Sequence, residues 1–128
     1  MTFEETYLND NILDALYDMR FEEMTPIQEQ CIPQILDGRD LIGVAQTGTG
    51  KTAAYLLPVL SMLDDGGFPH DAVNCIVMSP TRELAQQIDQ AMQGFGYYLN
   101  DVSSVAIYGG NDGSRFDQET KGLKMGAD

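Results

Sequence analysis

Ala45-Gln46-Thr47-Gly48-Thr49-Gly50-Lys51-Thr52 follows a short apolar run over residues 41–45 and opens a helical pattern. That placement between strand and helix is the context in which a glycine-rich loop reads as a phosphate cradle. Gly48 and Gly50 let the backbone turn tightly and bring its amides close to a polyphosphate. The helix beginning at Lys51 aims free N–H groups and the positive end of its dipole at the same anion. Lys51 adds a point charge near the outer phosphates, and the Thr52 hydroxyl suits the shell of a Mg²⁺ ion. Gln46, Thr47 and Thr49 fill out the cradle. The strict pattern has glycine where this chain has Ala45. A strand-to-helix turn with a chance Gly-Lys-Thr is the plain alternative. The flanking strand and helix favour a nucleoside triphosphate.

At 128 residues the chain is long enough for one hydrophobic core. Hydrophobic residues at 43% and charged residues at 21% are those of an ordinary globular domain. No apolar run approaches the roughly 18 residues needed to span a bilayer, so no membrane is expected. The start, Met1-Thr2-Phe3-Glu4-Glu5, lacks the features of a secretory signal. Cys31 and Cys75 are isolated and read as two buried thiols in a reducing cytoplasm. The net charge of −13, from 7 basic against 20 acidic residues, argues against a broad nucleic-acid surface. Any polynucleotide contact has to be local, built from helix ends and one or two basic side chains.

Apolar spacing gives the elements. Residues 10–19 read as a helix after Asn9-Asp10, with Ile12, Leu16 and Met19 in register. Thr25-Pro26 starts a second helix with Ile27, Cys31 and Ile35 on one face, kinked at Pro33 and ended by Gly38. A third runs over residues 51–63 and bends at Pro58, before a surface loop over residues 64–71 that includes His70. Thr81 caps a fourth carrying Leu84, Ile88 and Met92. Tyr97-Tyr98 reads as packing at a helix end, and Glu22, Glu23 and Glu29 as an exposed acidic face. Strands are expected at residues 41–45, 73–79 and 103–108, then a loop at 109–113 and a helix capped by Ser114 with Asp117 in its first turn. The fold class expected is α/β, a parallel sheet with helices on both faces.

Other segments narrow the function. Phe21-Glu22-Glu23-Met24-Thr25-Pro26-Ile27-Gln28 resembles the Q motif of DEAD-box ATP-dependent RNA helicases, and residues 45–52 resemble that family's motif I. Pro80-Thr81-Arg82-Glu83-Leu84-Ala85-Gln86-Gln87 is similar to motif Ia, and Gly109-Gly110 to the glycine doublet after it. The four stand in order across nearly the whole chain. The resemblance implies an incomplete RecA-like phosphate-loop NTPase domain over residues 1–128, truncated from the first helicase domain. Residues 1–40 would form its Q-motif region and residues 41–128 its phosphate-loop core. It also implies ATP and Mg²⁺ as cofactors.

By the resemblance Gln28 reads adenine, since a carboxamide can accept from the exocyclic amine and donate to the ring nitrogen beside it. Thr25 belongs to the same motif, and Phe3, 17 residues before Arg20, stands at the offset of the family's base-stacking aromatic. The residues alone leave alternatives open. Thr25 and Gln28 stand at capping-box spacing, and Phe3 could pin a loose terminus to the core. Arg20 stands where the family usually has glycine and Met24 where it usually has proline. Pro80, Thr81 and Arg82, with Gly109 and Gly110, would touch the sugar-phosphate backbone of single-stranded RNA. The alternative is a plain helix start with Arg82 paired to Glu83.

The Asp-Glu-Ala-Asp segment that holds Mg²⁺ and activates water in the family does not occur in these residues, nor does an arginine finger. Lys51 and Thr52 are the only catalytic candidates, and the chain alone is expected to bind rather than turn over ATP. A non-catalytic ATP- or RNA-binding module is the second reading. A small-molecule kinase is the third, and it leaves Phe3, Gln28 and residues 80–87 unexplained. Sheet edges missing their neighbours would let the chain self-associate.

Overall fold

The structure, a computed structural model, describes residues 1–69, 71–108 and 127–128. Among the described residues a 3₁₀ turn at Phe3–Glu5 is followed by four helices: α1 Asp10–Asp18, α2 Pro26–Leu36, α3 Lys51–Asp65 and α4 Arg82–Phe95. Each start has a physical cause. The Asn9 side chain accepts from Ile12 N at 3.0 Å and the Thr81 hydroxyl from Leu84 N at 3.1 Å, so each satisfies an orphan amide of a first turn. Pro26 sits in the first turn of α2, where its missing N–H costs nothing.

Two helices end in the same Schellman arrangement. At the end of α2, Gly38 N donates to Ile35 O at 2.9 Å and Arg39 N to Gln34 O at 3.1 Å. At the end of α1, Arg20 N donates to Tyr17 O at 3.0 Å and Phe21 N to Leu16 O at 2.9 Å. Both turns need a left-handed residue: Gly38 has φ +80 and Arg20 has φ +62. Only the first uses the residue type that adopts it freely.

The core joins Leu8, Ile12 and Leu16 to Ile32 of α2, to Leu56, Leu57 and Leu60 of α3, and to Ile88 and Phe95 of α4. The α2–α3 pair is the most extensive helix contact. It fastens the segment 25–28 to the start of α3. Helix α3 runs two residues beyond the expected 51–63, because Asn9 and Asn11 donate to Asp64 at 2.8 and 3.0 Å and hold its last turn.

Among the described residues, 41–45, 73–79 and 103–108 form no ladder, and an isolated antiparallel bridge joins Thr2 to Glu23. A ladder needs backbone bonds to a neighbour about 4.8 Å away. Ile42 is 95% exposed and Val44 88%, and a cavity of about 480 Å³ opens among residues 73–79, residues 102–108, α3 and α4. Asp128 reaches into this region, accepting from Cys75 N at 2.9 Å and donating to Ser103 O at 3.0 Å. His70, the 109–113 loop and the helix expected after Ser114 lie outside the described residues. No described helix is long and apolar enough to cross a membrane.

Candidate functional site

The loop before α3 turns on two left-handed glycines, Gly48 and Gly50, both at φ +83. The Thr49 hydroxyl donates to the Gln46 carbonyl at 2.6 Å and closes the turn. Gly50 is the N-cap of α3 and offers no side chain to its first-turn amides, so those donors stay available to an anion. Lys51 is exposed, and among the described residues no carboxylate pairs with it. Thr52 faces Tyr55. Burial pushes the Tyr55 hydroxyl above its usual range, and a hydrogen bond from Thr52 partly offsets this. A Mg²⁺ ion here would take one neutral hydroxyl from the protein and rely on phosphates and waters for the rest.

Gln28 lies against this loop. It is 3% exposed; its Oε1 accepts from Thr25 N at 2.9 Å, and its Nε2 donates to the Gly50 carbonyl at 3.2 Å. Only this orientation of the amide serves both partners, because a flip would set like against like. The capping contact anticipated from the Thr25–Gln28 spacing is thus present, and the same side chain also reaches the phosphate loop. The Thr25 Oγ1 atom is buried beside Gly50 and has no hydrogen-bond partner among the described residues.

Phe3 is 3% exposed and packs on Phe21 with ring centroids 6.3 Å apart. Its backbone N–H reaches the Glu22 carbonyl at 3.4 Å, and Met24 N donates to the Met1 carbonyl at 3.0 Å. The N-terminus is therefore laid along the 22–24 loop. The Met1 amine pairs with exposed Glu29 at 2.6 Å, and this contact raises the pKa of the amine.

Thr81 and Arg82 sit at the exposed start of α4. Arg82 Nη2 lies 3.7 Å from Glu83 Oε1, both side chains largely in solvent, a contact worth little there. The Ser79 hydroxyl donates to the Thr81 carbonyl at 3.2 Å. Pro80 is exposed beside them, while Gly109 and Gly110 lie outside the described residues. Cys31 and Cys75 are free, the first buried; burial raises the pKa of the Cys75 thiol. The sequence reading missed Phe95, which is buried and contacts Phe21 edge-on at 5.9 Å. Its signal was available, since Ile88, Met92 and Phe95 continue one helical face.

Two left-handed glycines leading into an uncapped helix, an exposed lysine with no carboxylate partner among the described residues, and a carboxamide set against them thus meet at the start of α3. The DEAD/DEAH box helicase family matches over residues 25–126, and the chain belongs to that family. Over 125 residues it is 45% identical to the ATP-dependent RNA helicase DeaD of Klebsiella pneumoniae, covering 98% of this chain and 18% of that protein. It is 46% identical over 114 residues to the DEAD-box ATP-dependent RNA helicase CshA of Bacillus cereus, covering 89% of this chain and 21% of that one. The chain thus spans about a fifth of the length of these relatives. Among solved structures, the DEAD box protein of Methanococcus jannaschii superposes with a TM-score of 0.82 at 33% identity, over 99% of this chain and 33% of that one. The ADP-bound RNA-helicase Prp28 of Chaetomium thermophilum gives 0.85 at 40% identity, over 98% and 30%. The fold is the one these DEAD-box proteins share.

Proposed function

We propose that this chain is the adenine-nucleotide-binding part of the first RecA-like domain of a cytoplasmic, ATP-dependent DEAD-box RNA helicase, which couples ATP hydrolysis to RNA duplex unwinding or remodelling. The observation that carries the reading is the convergence of Gln28 on Gly50, which joins a base-reading carboxamide to a phosphate loop. Gln46, Thr47, Gly48, Thr49 and Gly50 present amides to the phosphates, Lys51 adds its charge, and Thr52 faces Mg²⁺. Thr25 and Gln28 flank the base, with Phe3 beneath it once a ring face is freed from Phe21. Pro80, Thr81 and Arg82 meet the backbone of single-stranded RNA, joined by Gly109 and Gly110. Residues 41–45, 73–79 and 103–108 are the strands of a parallel sheet completed by further strands, and their open edges favour self-association. Within these 128 residues the step performed is binding, because hydrolysis needs the Asp-Glu-Ala-Asp segment and an arginine finger.

Titration of ATP with Mg²⁺ against the wild-type chain and Lys51→Ala tests the reading. Lys51 is exposed and unpaired, so its loss should leave the melting curve within about 0.5 kcal/mol of wild type. Triphosphate affinity should fall at least roughly tenfold, the equivalent of about 1.4 kcal/mol. Equal ATP affinity in the two proteins overturns the phosphate-loop assignment.

A further inference from the structure

Helix α4 is held unevenly. At its C-terminal end Phe95 is buried and meets Phe21 edge-on at 5.9 Å, and Phe21 in turn meets Phe3 at 6.3 Å. A Cβ added at Gly94 would lie 3.3 Å from Met19 Cε, so the last turn of α4 is pressed against the end of α1. The Tyr98 hydroxyl beyond the helix donates to Asp18, a second tie to α1. Among the described residues the opposite end is held more lightly, by Leu84 against the core and by the Ser79 hydroxyl on the Thr81 carbonyl. Arg82 and Glu83 are exposed, Leu84 is half-buried, and Ala85 lines the 480 Å³ cavity. A helix of 14 residues is a rigid rod about 20 Å long. A small rotation at the clamped end therefore becomes a larger displacement at the lightly held end.

The clamp is built on the loop that leads into α2. Phe21 begins the segment that ends at Gln28, and Phe3 is bonded across it through the Glu22 carbonyl. We propose that Phe95 is a positioning residue that, through its edge-on contact with Phe21, ties the pose of α4, and with it Thr81 and Arg82, to the 21–25 loop, against which Phe3 packs and from which α2 carries Gln28. The inference rests on the proposed function, which places nucleotide at one end of this link and RNA at the other. An aromatic edge-to-face pair suits the role, because its orientation preference resists rotation where aliphatic contacts slide. Nucleotide entering beside Gln28 shifts the Phe3–Phe21 pair, and α4 follows.

The amides of Leu84 and Ala85 report on the lightly held end, since both are bonded to Thr81 at 3.1 Å. Their hydrogen exchange is measured in the full chain with and without saturating ADP, in wild type, Phe95→Leu, Phe21→Leu and the double variant. A thermal melt checks that each is folded, and Phe21, 37% exposed, supplies a variant that tolerates truncation. The expected result is an ADP-dependent change of at least threefold in wild type, reduced toward none in either single variant. The double variant should lose no more than the singles, as two halves of one contact must. Wild-type exchange indifferent to bound ADP overturns the proposal, and so does an undiminished response in Phe95→Leu or Phe21→Leu. Titration with a single-stranded oligouridylate separates the two readings. If the oligonucleotide fails to bind while the ADP response persists, the RNA assignment falls and the ring tie stands. Absence of ADP binding in wild type sinks both.

Discussion

The Gln28 carboxamide donates to the carbonyl of Gly50 at 3.2 Å, across 22 residues of chain. That carbonyl also accepts the first helical bond of α3, from Ala54 N at 3.1 Å. One side chain therefore fixes both the start of α2, through Thr25 N, and the start of α3. A Cβ at Gly50 would lie 2.3 Å from Gln28 Nε2 on a backbone at φ +83. Gly50→Ala must then displace Gln28 and strain a left-handed position at once. We expect a loss of about 2 kcal/mol in urea denaturation, together with loss of ATP binding. A variant as stable as wild type that still binds ATP would show that the loop re-forms without this contact.

Gln28→Ala separates capping from base reading. With one N–H committed to Gly50 and one lone pair to Thr25 N, the amide keeps one donor and one acceptor. Adenine offers the complementary pair on one edge; guanine presents two acceptors there and sets its carbonyl against the Gln28 oxygen. Truncation should lower stability by about 1 kcal/mol through the lost cap. It should also lower the ATP-to-GTP affinity ratio about tenfold or more, since an unpaired base edge costs ~1–3 kcal/mol. An unchanged ratio in parallel titrations removes the adenine-reading role and leaves the cap.

The helices were legible in the sequence because their signals are local. Asn9, Thr25-Pro26 and Thr81 announce three starts, and the sequence pattern carries α1, α2 and α3 to within two residues of their observed ends. The alternatives left open at Gln28 were both reasonable, since capping depends on a three-residue spacing while the Gly50 contact depends on how α2 packs on α3. The helical spacing of Ile88, Met92 and Phe95 could have placed Phe95 on the buried face, but its contact with Phe21, 74 residues away, has no local pattern to announce it. The strands were read from composition, but composition shows only that a segment can be buried between neighbours. A ladder requires those neighbours to stand at bonding distance.

Arg20 occupies the left-handed position of the α1 Schellman turn at φ +62, where Gly38 ends α2. A side chain there costs about 1–2 kcal/mol, partly offset by the greater freedom glycine brings to the unfolded chain. Arg20→Gly should therefore stabilise the protein by about 1 kcal/mol, or roughly 3–5 °C in melting temperature. It should leave ATP affinity within twofold, because no hydrogen bond of the Arg20 side chain supports Gln28. A lower melting temperature would mean that the Arg20 side chain contributes more than the strained backbone loses.

Ile42, Val44, Ile76 and Met78 are 78–95% exposed on segments that form no ladder among the described residues. Extended apolar segments of this kind pair readily with another chain, which supplies backbone bonds and cover together. The opposing force is the net charge of −13, which repels a second copy at long range. Added salt screens that repulsion, with a Debye length near 10 Å at 0.1 M and 3 Å at 1 M, while leaving apolar contact intact. The chain should therefore associate more strongly as NaCl rises, the reverse of a salt-bridged interface. Light scattering at fixed protein concentration across that range checks this, with Ile42→Lys and Val44→Lys reducing the associated mass. A monodisperse monomer at 1 M NaCl, melting cooperatively, would show that these segments find cover within their own chain.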